Sequence, residues 1–225
     1  MSAQHSRLHQ ISQTHPDSPY AEAYRTIMTN IELLSVSAKA LMVTSARPGE
    51  GKTATVINLA IVAAQASRKV LLVDTDLRHP QLANRFLISN DKGLTQILRQ
   101  GSEAYEAIAP TDVPGLHVLP SGPVGLNSPS LLSSLPFASL VNRLKAKYDL
   151  LIFDAPPVLP VSDPLVLSRN VDGIVFVVDG RTTNRLVAQR ALKELHKVNG
   201  TIIGGILNRG SFENDHSYYY GSSDI

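Results

Sequence analysis

Ala40-Leu41-Met42-Val43-Thr44-Ser45-Ala46-Arg47-Pro48-Gly49-Glu50-Gly51-Lys52-Thr53-Ala54 opens as an apolar run, turns tightly through Pro48, Gly49 and Gly51, and continues as an apolar segment to Ala66. Strand, loop and helix in that order match the phosphate-binding loop G-x-x-x-x-G-K-[ST], with Ala46 in place of the first glycine. The chemistry explains the residue types. Gly49 and Gly51 allow backbone conformations closed to residues with a β-carbon and let phosphate oxygens come close. The free N–H groups and positive dipole end of the following helix favour an anion. Lys52 supplies a point charge for the β- and γ-phosphates, and the Thr53 hydroxyl is suited to Mg²⁺. Gly49, Glu50, Gly51, Lys52, Thr53 and Ala54 are therefore expected to wrap a nucleoside triphosphate. The plain alternative is a glycine-rich turn capping a core helix, and the flanking strand and helix weigh against it.

A chain of 225 residues has ample length for one α/β domain with a buried core. Its formal charge of +2 gives no mandate for nucleic acid, and no run of Lys and Arg is present. Cysteine is absent, which removes a disulfide framework, a thiolate metal site and a cysteine nucleophile. The start, Met1-Ser2-Ala3-Gln4-His5-Ser6-Arg7, lacks the apolar core of a signal peptide. No apolar segment reaches the ~18 residues of a membrane span. A soluble chain is expected, attached to a membrane only through a partner.

Residues 1–18 are polar and read as a mobile arm, with His5, His9 and His15 solvated. From Pro19 to Leu34, the residues Ala21, Tyr24, Ile27, Met28, Ile31 and Leu34 are spaced as one helical face. Lys69-Val70-Leu71-Leu72-Val73-Asp74 reads as a buried parallel strand, followed at once by Asp76. Leu82, Phe86, Leu94, Ile97 and Leu98 are core candidates in a mixed segment over 80–110. Gly115 to Leu119 is a short strand, 121–129 a loop, and Leu131 to Lys147 a helix. A further strand ends in Phe153-Asp154 before Ala155-Pro156-Pro157, and Asp163, ahead of Pro164, reads as a helix N-cap. Gly173 to Asp179 is a strand. Asn184 to Val198 is a helix with Leu186, Val187, Ala191, Leu192 and Leu195 inward. Thr201 to Leu207 is the last strand, delivering Asn208 and Arg209 to the edge where nucleotide contacts are expected. The alternation predicts a doubly wound, mostly parallel α/β sheet with helices on both faces, the P-loop NTPase fold, over residues 19–209. Residues 210–225 read as a flexible tail holding Tyr218, Tyr219 and Tyr220.

Strand ends in open α/β sheets face the ligand crevice. Thr53, Asp154 and Asp76 are placed to set up Mg²⁺, and Asp74 is one carboxylate more than the ion needs. A carboxylate beside the γ-phosphate could take the proton of an attacking hydroxyl. Water as attacker would make an ATPase, and a protein hydroxyl a kinase. The structural alternative has Asp74 capping a helix and Asp76 solvated. Arg47 stands where partitioning ATPases carry a signature lysine, and it either reaches a phosphate or faces solvent. About ten extended residues carry the tyrosines up to ~35 Å from Asn208, enough to reach this chain's site or a neighbour's. A partitioning-type ATPase switch and a nucleotide-gated scaffold without phosphoryl transfer are the rival functions.

From about Tyr20 to the C-terminus the chain resembles the bacterial tyrosine kinases of capsule and exopolysaccharide operons, in the soluble form of Gram-positive bacteria. The resemblance rests on Ala46 to Thr53, Leu71 to Arg78, Ile152 to Pro157, Leu119-Pro120-Ser121-Gly122-Pro123, Glu22 to Thr26 and the tyrosine run. It implies autophosphorylation of Tyr218, Tyr219 and Tyr220 with ATP and Mg²⁺, with Lys52 and Thr53 as loop residues. Asp74 would be the base, and Asp76 and Asp154 would serve the metal. It also implies a transmembrane chain-length regulator as adaptor, ring self-association, a cognate tyrosine phosphatase, and a cytoplasmic location recruited to the inner face of the plasma membrane. The family's subunit-contact motif E-x-x-R-x-x-R here runs from Glu22 through Arg25 to Met28, so a weakened ring is expected.

Overall fold

The computed structural model describes residues 10–100, 104–123 and 128–210; the expected tyrosine tail, His5 and His9 lie outside them. Helices α1 (Ile11–Thr14) and α2 (Pro19–Leu34) precede β1 (Ala40–Ser45), and α3 (Lys52–Gln65) leads on to β2 (Val70–Asp74). Short helices α4 (Leu82–Phe86) and α5 (Leu94–Gln100) come before β3 (Ala109–Pro110) and β4 (Leu116–Leu119). Then α6 (Ser128–Leu132) and α7 (Leu135–Lys145) lead to β5 (Leu150–Asp154), α8 (Asp163–Leu167) to β6 (Gly173–Asp179), and α9 (Arg185–Lys197) to β7 (Ile202–Asn208).

The strands form one sheet in the order β3-β4-β2-β5-β1-β6-β7, parallel except for the two-residue edge strand β3. The expected doubly wound architecture is what stands there. Side chains alternate across a strand, so successive residues feed two cores. Met42, Leu71, Val73, Phe153 and Phe176 pack on one face with α7, α8 and α9. Leu41, Val43, Leu72, Ile152 and Val175 pack on the other with α2 and α3. Phe153 and Met42 are wholly buried, each contributing roughly 2–3 kcal/mol through apolar burial. Helix α3 is buried along most of its length because the sheet lies on one side of it and α1 and α2 on the other.

Four local expectations need correcting. Residues Gln10 to Gln13 are packed on the domain rather than being part of a mobile arm, while Thr14 to Asp17 are exposed. Ser12 N–H donates to Asn58 Oδ1 at 2.9 Å, Gln65 Nε2 donates to Ser12 C=O at 3.1 Å, and Gln10 Nε2 donates to Arg85 C=O at 3.1 Å. Asn58 and Gln65 lie two turns apart on α3, so their amides close both backbone groups of one residue. The helix expected over Leu131 to Lys147 is two helices, because Ser134 Oγ caps Phe137 N–H and Pro136 brings no N–H to continue the earlier turn. Leu34 and Leu186 are exposed at helix ends, not inward. Asp163 is not the N-cap: Ser162 holds that position, already in helical backbone, and the Asp163 carboxylate is buried with one oxygen 3.4 Å from Arg78 Nη2.

Met28 is buried against α3, while Glu22 and Arg25 pair with each other at 2.7 Å, and Arg25 also reaches the Pro16 carbonyl. The Met28 side chain thus serves the core of its own chain. Replacing Asn58 with Leu removes the acceptor for Ser12 and is expected to lower stability by about 1–3 kcal/mol. In hydrogen exchange, amides near Ser12 should lose protection while β1 and β5 keep theirs. Unchanged protection at Ser12 would mean that Asn58 does not anchor this segment.

Candidate functional site

The phosphate loop joins β1 to α3 at the carboxyl edge of the sheet. Gly49 and Gly51 have φ of +83° and +93°. A β-carbon on Gly51 would lie 2.0 Å from Asn208 Nδ2, so this position excludes side chains by space as well as by conformation. Ala46, absent from the positive-φ positions and wholly buried, packs its methyl into the core below the loop. That is why alanine serves where the motif has glycine. Lys52 is buried, and Arg47 is exposed while its N–H donates to Glu50 Oε2 at 2.9 Å.

Asp74 ends β2 and Asp154 ends β5. The two strands pair in parallel with Asp74 opposite Asp154. Both carboxylates are almost completely buried. Asp154 Oδ2 accepts from the Thr53 hydroxyl at 2.7 Å, and Asp74 Oδ2 accepts from Gln81 N–H and Leu82 N–H, each at 3.0 Å. Asp74 therefore does bond N–H groups at the start of α4, much as the structural alternative of a helix cap had it, but with one oxygen only. Among the described residues, neither Asp74 Oδ1 nor Asp154 Oδ1 has a hydrogen-bond partner. Asp76 is half-buried and accepts from His79 N–H at 3.0 Å.

Burial holds the Asp74 carboxyl well above the usual carboxylate range, with repulsion from Asp154 and Asp76 adding to it. The N–H groups of Leu82 and Gln81 work against that rise. Burial also pushes Asp154 up to about 6, despite the Thr53 hydrogen bond and the Lys52 charge.

Among the described residues, no three His, Cys, Asp or Glu side chains converge as a ready cation cage. What stands beside the end of β5 is the Thr53 hydroxyl, the Asp154 oxygen that has no partner among the described residues, and the half-buried Asp76 carboxylate. That donor set fits Mg²⁺, which takes one or two carboxylates and completes its shell with water and phosphate. A surface depression of about 490 Å³ lies elsewhere, between Ala64–Lys69 and Val113–Gly115, and none of its lining residues is acidic.

Asn208 and Arg209 reach the edge as expected, and what they touch is the loop itself. Asn208 Nδ2 donates to Glu50 C=O at 3.0 Å, and Arg209 Nη1 donates to Gly49 C=O at 3.3 Å and to Asp179 Oδ2 at 2.7 Å. Sequence reasoning missed Asp179, Thr183 and the anchoring part played by Glu50. For Asp179 a signal existed: an apolar strand ending in aspartate, as in β2 and β5. Thr183, which bonds Glu50 through its hydroxyl, follows no such pattern.

A carboxyl whose pKa is higher in the folded than in the unfolded chain binds protons preferentially in the fold. Its stabilising effect is present at low pH and is lost as pH rises from about 4 through about 6. Asp154→Asn should therefore raise stability at pH 8 by about 1–3 kcal/mol, roughly 3–10 °C in Tm, with the gain shrinking toward pH 4. A variant less stable than wild type at pH 8 would contradict the raised pKa.

Comparison with known proteins agrees with this geometry. A family described as "AAA domain" matches residues 38–184. The tyrosine-protein kinase YwqD of Bacillus subtilis is 41% identical over 217 residues, 95% of this chain and 92% of that protein. The tyrosine-protein kinase CpsD of Streptococcus agalactiae is 34% identical over 191 residues, 84% of this chain and 82% of that one. The crystal structure of the chimerical protein CapA2B2 superposes with a TM-score of 0.86 at 34% identity, covering 89% of each chain. The septum site-determining protein MinD of Pyrococcus horikoshii, solved with Mg-ADP, superposes with a TM-score of 0.65 at 25% identity, covering 76% of this chain and 70% of that one. By the length and identity of these matches, on a P-loop NTPase fold, this chain belongs to the bacterial tyrosine-protein kinase family.

Proposed function

We propose that this chain is an ATP-dependent protein-tyrosine kinase that phosphorylates its own Tyr218, Tyr219 and Tyr220 and acts in capsule or exopolysaccharide synthesis. The observation that carries the reading is Asp74: a buried carboxylate with a raised pKa and one oxygen without a partner among the described residues, beside the carboxylate that bonds Thr53. A carboxylate raised toward the working pH is a better proton acceptor than an ordinary aspartate.

In this reading Gly49 to Ala54 hold the phosphates, Lys52 binds the β- and γ-phosphoryl oxygens, and Asn208 and Arg209 close the nucleotide side. Mg²⁺, when bound, would neutralise charge on the phosphates, with Thr53, Asp154 and Asp76 as its protein-side partners. Asp74 Oδ1 accepts the tyrosine proton as the phenolic oxygen forms its bond to the γ-phosphorus. The bond from that phosphorus to the bridging oxygen breaks, and ADP carries away the electron pair. Burial keeps water from competing with the phenol.

The reading extends to partners through the relatives' likeness. It includes a transmembrane adaptor that recruits the chain to the cytoplasmic face of the membrane, self-association, and a phosphatase that reverses the modification. Among the described residues no helix is long and apolar enough to cross a membrane.

Peptide mass spectrometry after incubation with ATP and Mg²⁺, with and without an adaptor's cytoplasmic segment, tests the kinase. Phosphate is expected on Tyr218 to Tyr220, absent in Lys52→Met and reduced about 10²–10⁴-fold in Asp74→Asn. ATP hydrolysis with no phosphotyrosine under any condition would overturn the reading in favour of a switch.

A further inference from the structure

The phosphate loop is gripped by residues that its motif does not contain. Thr183, on the connection from β6 to α9, accepts the N–H of Asp179 at 3.2 Å and donates its own proton to Glu50 Oε1. Glu50 Oε2 accepts the N–H of Arg47 at 2.9 Å. One chain of hydrogen bonds thus runs from the last residue of β6, through a hydroxyl and a carboxylate, to an amide in the first half of the loop. Glu50 is only 2% exposed, and a carboxylate so placed is tolerated when its oxygens are bonded. Here both are. Thr183 is separated from Glu50 by 133 residues of sequence, so the bond ties two distant parts of the chain across the loop.

We propose that Thr183 and Glu50 are positioning residues for nucleotide binding, acting by holding the phosphate loop in its binding conformation before the ligand arrives. The inference rests on the nucleotide reading given above and adds to it a residue outside every motif. A loop already ordered does not have to be ordered at the moment of binding, so affinity rises without a new contact to the ligand. Lys52, Asp74 and Asp154 are untouched by this bridge. Its loss should therefore weaken binding and leave the rate at saturating ATP in place. Valine at position 183 keeps the β-branched shape but removes both bonds of the hydroxyl, whereas serine keeps the hydroxyl.

Calorimetric titration of the full chain with ADP and Mg²⁺, alongside the ATP dependence of tyrosine phosphorylation, decides the matter. Thr183→Val is expected to raise Kd for ADP and KM for ATP about five- to tenfold with kcat within about twofold, since a hydrogen bond to a charged group is lost. Thr183→Ser should stay within about twofold of wild type in all three. Circular dichroism identifies any variant that does not fold, and the remaining variants then carry the test. ADP binding by Thr183→Val as tight as wild type would overturn the inference, as would Thr183→Ser binding as weakly as Thr183→Val. Failure of the wild-type chain itself to bind ADP would overturn the nucleotide reading and this inference together.

Discussion

Two parallel strands, β2 and β5, are registered so that Asp74 faces Asp154 across the ladder, and both carboxylates sit in the protein interior. Burial disfavours the charge on each, and repulsion from Asp154 and Asp76 adds to the rise at Asp74. The structure meets part of the demand with the Thr53 hydroxyl and with the N–H groups of Gln81 and Leu82, and among the described residues leaves one oxygen on each carboxylate without a partner. A fold selected for stability alone would have filled such positions with apolar side chains. The raised carboxyls are instead suited to a proton acceptor and to a cation that arrives with phosphate.

The remaining architecture serves that pair. Apolar burial on both sheet faces fixes the strands, and fixed strands fix the register. The tips of β6 and β7 then hold the phosphate loop through Asp179, Thr183, Asn208 and Arg209. Loop and carboxylates are thereby set on one rigid edge, though they come from strands far apart in sequence.

How much of this was legible depended on distance along the chain. The loop was legible because Gly49, Gly51, Lys52 and Thr53 are neighbours and their spacing carries the chemistry. Asp74 and Asp154 were legible because an apolar strand ending in aspartate is a local pattern. The two-sided burial of β1, β2, β5 and β6 followed from their unbroken apolar runs. The Thr183–Glu50 bond had no local sign, since Thr183 makes sense only once β6 and β1 lie side by side. The packing of Gln10 to Gln13 was hidden for a similar reason: polar residues read as solvated unless the amides of Asn58 and Gln65 are seen facing Ser12. Asp163 looked like a cap because Pro164 follows it, and only the fold brings Arg78 within reach.

The most direct measurement is the proton balance of Mg-ADP binding, obtained by calorimetry near pH 6 in buffers of different ionisation enthalpy. If Asp154 titrates at about 6 in the protein on its own, a cation at its Oδ1 must displace protons. Release of about half a proton or more per bound Mg-ADP is expected, falling in Asp154→Asn. Binding with the same heat in every buffer would mean that no proton leaves, and that the buried carboxylates are not where the cation acts.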